Sequence, residues 1–176
     1  MRIRTTATRT IAALTGLVLA GGMLATAAPA SANTNDGWVS GAGSMSDDWG
    51  DEGTVSTTSY SSSTATCLWQ QVLRAEGLLS GAGVDGHFGP TTKTATENFQ
   101  KRYHDLAGDG KAGPNTWGKA DDKFTQVVEY TDGSARAVYD GTASNFTVYR
   151  NTQGRHFWWH EGQSAHRYAA YGSNSC

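Results

Sequence analysis

Four side chains near the end of this 176-residue chain come closest to a pattern that could do metal chemistry: His156, His160, Glu161 and His166. Zinc-assisted hydrolysis needs imidazoles and carboxylates that converge on one ion. His156 and His160 stand four apart in RHFWWH, a run that reads as a strand, and four strand residues separate side chains by roughly 13 Å. A His-Glu-x-x-His run is absent. Asp85 and Asp109 invite a second reading, because VDGHFGPTT at Val84 to Thr92 is echoed by GDGKAGPNT at Gly108 to Thr116. Neither copy has the alternating oxygen ligands and closing Glu of a calcium loop, nor the GKS or GKT tail of a phosphate loop. No metal or cofactor site is expected. Cys176 as a nucleophile would need a base held beside a terminal residue, so no catalytic residue is assigned.

The elements that must position these residues follow from periodicity. In CLWQQVLRAEGLL, Leu68, Val72, Ala75 and Leu79 recur at helical spacing, with Trp69 and Leu73 on the adjacent stripe. Each repeated turn then uses Asp-Gly for a tight reversal, with Gly86 free to take positive φ. Pro90 and Pro114 suit the first turn of a helix, where the missing N–H costs nothing. Ala95, Phe99 and Tyr103 define one face of the second helix, and Trp117 anchors the third. The predicted core joins Leu68, Val72, Leu73, Phe88, Phe99, Leu106 and Trp117. Beyond Asp121, the runs FTQVVEY, ARAVYD, FTVYR, RHFWWH and HRYAAY are separated by turn-forming residues, which predicts an antiparallel meander of four or five strands packed on the helices. The fold class is therefore α+β. Phe157, Trp158, Trp159, Tyr168 and Tyr171 are expected to divide between a core face and an exposed face able to stack on sugar.

The N-terminus reads differently. Residues 1–32 join Arg2, Arg4 and Arg9 to an apolar run from Ile11 to Leu24 and end in APASA, the pattern of a cleaved export signal. Its removal takes three of the 14 basic residues and none of the 16 acidic ones, leaving 11 against 16 and a net charge of −5. That balance disfavours nucleic acid and anionic surfaces as partners. Residues 33–66 are rich in Ser, Thr, Gly and Asp, with Trp38, Val39, Met45, Trp49 and Val55 unpatterned, and composition predicts a flexible arm. Cys67 and Cys176, an even pair in an exported chain, are expected to form a disulfide. The chain divides into a signal (1–32), an arm (33–66), a helical domain (67–121) and a β segment (122–176).

Three runs in order carry a resemblance: Trp69, Gln70, Leu73 and Gly77; Val84 to Pro90 with Thr92, Ala95, Phe99 and Gln100; and Asp109, Gly110, Gly113, Pro114, Thr116 and Trp117. Together they resemble the peptidoglycan-binding domain carried by many cell-wall hydrolases, over about residues 67–120. Trp69 departs from that family's usual Leu, Thr96 from its branched aliphatic, Ala112 from a larger apolar residue and Ala120 from a final Leu. The resemblance implies a non-catalytic three-helix module on a secreted, bacterial, wall-associated protein. Its ligand would be peptidoglycan, through glycan or stem peptide, held by Gln70, Asp85, Gly86, His87, Phe88, Gln100 and Asp109, while the β segment could take a protein partner. The alternatives are a small wall amidase or peptidase with its catalytic groups in the β segment, and a secreted interaction or inhibitor protein.

Overall fold

The computed structural model describes residues 34–159 and 164–176, so the export signal lies outside the described residues. Among the described residues three α-helices precede the strands, α1 (Thr64–Ala75), α2 (Pro90–Gln100) and α3 (Pro114–Asp121). Five strands follow, β1 (Phe124–Glu129), β2 (Ala135–Asp140), β3 (Asn145–Arg150), β4 (His156–Trp159) and β5 (His166–Tyr168). They form one antiparallel sheet in the order β1-β2-β3-β4-β5, so the molecule is α+β with an uninterrupted meander. Cys67 and Cys176 are joined by a disulfide across 109 residues of chain. In the chain-entropy model a loop of that length is worth about 5 kcal/mol.

Local chemistry explains the helix limits. Helix α1 starts one turn before the predicted Cys67, because the Ser63 hydroxyl accepts from the Thr66 amide and caps it. It stops where Gly77 takes φ +70° and the Leu78 amide donates back to Leu73, a glycine-closed end. Helices α2 and α3 each begin with Pro90 or Pro114 directly after an extended glycine.

Two of the sequence's departures from the family pattern prove to be one device. The Trp69 indole N–H donates to the Thr96 hydroxyl at 2.9 Å inside the core. A larger ring with a polar edge is thus matched by a hydroxyl in place of an aliphatic side chain, as a buried donor requires. Trp69 also meets Phe99 and Trp117 edge to face, with centroids 5.2 and 5.0 Å apart. Of the predicted core, Leu68, Val72, Leu73, Phe88, Phe99 and Trp117 are buried, and Leu106 packs half-buried against them.

The expectation of a flexible N-terminal arm is overturned. Val39, Met45, Trp49 and Val55 have no exposed surface and belong to the main hydrophobic core. Val39 is threaded between strands, its amide donating to Ala169 and its carbonyl accepting from His156. Val55 forms a bridge with Ala112, so a residue from the strap lies where the helical domain itself has only a methyl group. Composition averaged over the stretch hides this, because each apolar residue is an isolated anchor. Burying four such side chains contributes about 1.5–3 kcal/mol each, and backbone and buried acid groups fix the polar residues between them. We refer to residues 34–63 as the strap.

The sheet turns Ala135, Ala137, Tyr139, Val148 and Trp158 inward. Glu76, at the end of α1, ties it to the helices by accepting from Lys123 Nζ at 2.6 Å, Thr142 at 2.7 Å and Tyr139 at 2.9 Å, with Arg102 paired to its other side. Burial works against ionising this carboxyl, but the donors around it prevail and hold it below the ordinary carboxylate range.

Candidate ligand-binding site

The repeated turns are built alike, each around one glutamine. Gln70 Oε1 accepts from the amides of Asp85 (3.0 Å) and Gly86 (2.8 Å). Its Nε2 donates to Asp85 Oδ1, the His87 carbonyl and Thr92 Oγ1, each at 3.0 Å. Thirty residues on, Gln100 Oε1 accepts from the Gly110 amide (2.9 Å), and its Nε2 donates to Asp109 Oδ1 (3.1 Å), the Lys111 carbonyl (2.8 Å) and Thr116 Oγ1 (3.1 Å). The aspartates close their own turns, Asp85 Oδ1 accepting from His87 N and Asp109 Oδ1 from Lys111 N. Gly86 and Gly110 sit at φ +74° and +71°, where a side chain would be strained.

This geometry sorts the residues singled out in the sequence. Gln70 and Gln100 are buried with both ends of their amides engaged inside the protein, so they hold the turns from within. Phe88 is buried in the core and Gly86 is covered. Asp85, His87 and Asp109 are exposed. Thr92 and Thr116, the fourth member of each clasp, were missed as partners of the glutamines; the signal was their common distance of seven residues from Asp85 and Asp109.

The two copies differ in what lies over them. The first is covered by the chain's C-terminal tail. Asn174 Nδ2 lies 3.3 Å from the Asp85 carbonyl and 3.4 Å from His87 Nε2, and its side chain occupies the space a Cβ on Gly86 would need. The Cys67–Cys176 disulfide holds that tail in place. Beside the second copy a groove of about 310 Å³ remains open, lined by Thr54, Leu106, Asp109, Lys111, Asn115 and Thr116 among others. It offers a carboxylate, an ammonium, an amide and hydroxyls within one concavity, which suits a polar neutral or zwitterionic ligand. The strap pairs with both turns at matching amides: Phe88 N donates to Ser61 at 2.7 Å and Ala112 N to Val55 at 3.0 Å.

The histidines of the β segment behave differently from a metal centre. His156 is fully buried; its Nδ1 accepts from the Trp49 indole at 2.6 Å and its Nε2 lies 2.9 Å from Asp48 Oδ2. Indole can only donate, so Nδ1 carries the lone pair and the proton sits on Nε2, directed at Asp48. Asp48 in turn receives Arg150 through Nη1 on both oxygens, at 2.9 and 2.7 Å. Both ring nitrogens are therefore occupied within the protein. His160 and Glu161 lie outside the described residues. Among the described residues no three His, Cys, Asp or Glu side chains are placed to hold one ion.

With this geometry in view, comparison with known families is informative. Residues 62–119 match the family model described as "Putative peptidoglycan binding domain". The match spans α1, both clasped turns and most of α3, and it bears out the resemblance carried by those three runs. No curated protein and no solved structure matches the chain.

Proposed function

We propose that this is a secreted, non-catalytic bacterial cell-wall protein that holds peptidoglycan in the groove beside its second clasped turn. The observation that carries the reading is the conjunction of the family match over residues 62–119 with an open polar groove at one turn and a tail-covered surface at the other. Lys111 and Asn115 make the direct contacts with glycan or stem peptide, while Gln100, Thr116 and Asp109 keep the groove in shape. A disulfide joining Cys67 of α1 to Cys176 fits an extracytoplasmic setting. The buried, doubly engaged His156 supports a binding role over hydrolysis in the β segment.

Incubation with insoluble sacculi followed by centrifugation tests the reading. Protein in the pellet without released fragments is the expected result, with a Lys111→Ala, Asn115→Ala double variant left largely in the supernatant. Released fragments would assign the chain to the hydrolases. An unchanged pellet for the double variant would remove the groove from the contact surface.

A further inference from the structure

The outer face of the sheet carries an aromatic cluster that the clasped turns do not involve. Alternation along β3, β4 and β5 puts Tyr149, Phe157, Trp159, His166 and Tyr168 on the side opposite the buried His156 and Trp158. Tyr149 and Phe157 stack at 5.2 Å with planes 17° apart. Trp159 meets Tyr149 edge-on at 4.8 Å, and Tyr168 leans on Phe157 at 5.2 Å. Trp159 remains 46% exposed, so its ring is not spent on packing. Together the rings wall a hollow of about 390 Å³, within the roughly 300–1,000 Å³ of small-ligand sites.

We infer that this hollow is a second binding site, for a neutral glycan strand built of N-acetylhexosamine units. The charge lining selects such a ligand. Among the described residues no carboxylate or ammonium borders the hollow, and its arginine, Arg150, is buried and committed to Asp48. Sugar rings present flat C–H faces that match the quadrupole of an indole or phenol ring, and their hydroxyl and acetamido edges need uncharged partners. Such partners line the hollow in Tyr168 OH, Asn151 and Thr152. Trp159 also borders a second, smaller hollow shared with Gln71 and Arg74 of α1, so the platform runs on to the helical domain that matches the wall-binding family. A polymer can therefore follow one continuous surface from sheet to helix.

The test is a titration of the whole chain with the hexamer of β-1,4-linked N-acetylglucosamine, followed by tryptophan fluorescence and by calorimetry. We expect saturable binding, a loss of about tenfold or more in Trp159→Ala, and recovery to within about threefold in Trp159→Phe. Equal affinity of Trp159→Ala and the unsubstituted chain overturns the assignment, as does absence of any hexamer binding. A dimer in sedimentation that Trp159→Ala converts to monomer would make the face a self-interface and overturn it too. The hexamer carries no stem peptide, so this outcome is separate from the sacculus experiment, which can succeed when the titration fails.

Discussion

The Trp49 indole N–H donates to His156 Nδ1 across 2.6 Å, joining the strap to the fourth strand over 107 residues of sequence. Around this bond Trp49 packs edge to face on Trp117 and Phe124, at 5.3 and 4.6 Å. One strap residue thus sits where α3, β1 and β4 meet.

Trp49→Ala is therefore expected to lower unfolding free energy by about 3–5 kcal/mol, the usual range for emptying a large aromatic site. Trp49→Phe keeps much of the packing but orphans His156 Nδ1, at a cost of about 1–3 kcal/mol. Denaturant titration of both variants measures the difference. A flexible strap would leave both midpoints at the unsubstituted value.

Gln100→Ala removes an acceptor for a buried backbone amide and a donor for three oxygens at once. We expect a loss of at least about 2 kcal/mol, since each orphaned buried group costs on the order of 1–3. Gln70→Ala should behave alike. Amide hydrogen exchange gives the local readout: Gly110 N loses protection in the first variant and Gly86 N in the second. Unchanged exchange at both amides would mean that the turns hold without the glutamines.

Trp69 and Thr96 should prove energetically coupled. Trp69→Phe removes the donor to the Thr96 hydroxyl, which keeps its own bond to the Thr92 carbonyl, and Thr96→Val strands the indole N–H. The double substitution removes both partners together, so it should cost about 1 kcal/mol less than the two single losses added. Strict additivity in the double-mutant cycle would show that the two departures from the family pattern are independent.

Two buried carboxyls make stability fall as the solution becomes more alkaline. Burial pushes Glu52 up to about 8, although Tyr171 OH and the Ser40 amide donate to it. Burial likewise pushes Asp121, which accepts from the Trp49 amide, up to about 7. Each group binds its proton more tightly folded than unfolded. Their contribution is therefore complete below the unfolded values near 4 and disappears as pH rises through about 7 and about 8. One linked proton gives a slope of at most about 1.4 kcal/mol per pH unit. Melting temperature should drop between pH 5 and about 8, and Glu52→Gln should flatten the upper half of that drop. An unaltered profile in Glu52→Gln would exclude it as the titrating group.

How much of this was legible beforehand varies element by element. The clasped turns were visible as a 24-residue echo, because Asp-Gly and Gly-Pro restrict the chain locally wherever they occur. Gln70 and Gln100 stood out as well, but their side chains point inward to the turns, and direction is fixed only once the helix is packed. The strap defeated composition because burial of single residues such as Trp49 depends on cavities left by distant elements.

By itself, then, the sequence determined what nearest neighbours along the chain enforce: the two proline-led helix starts, two matched turns and alternating strands. Tertiary structure decided which faces those elements show. It buried His156 against Asp48 and Trp49 while leaving Trp159, three residues on, facing outward. It also laid Asn174 over the first turn and left the second open. Such choices rest on contacts between residues 89 to 108 positions apart, which no local pattern encodes.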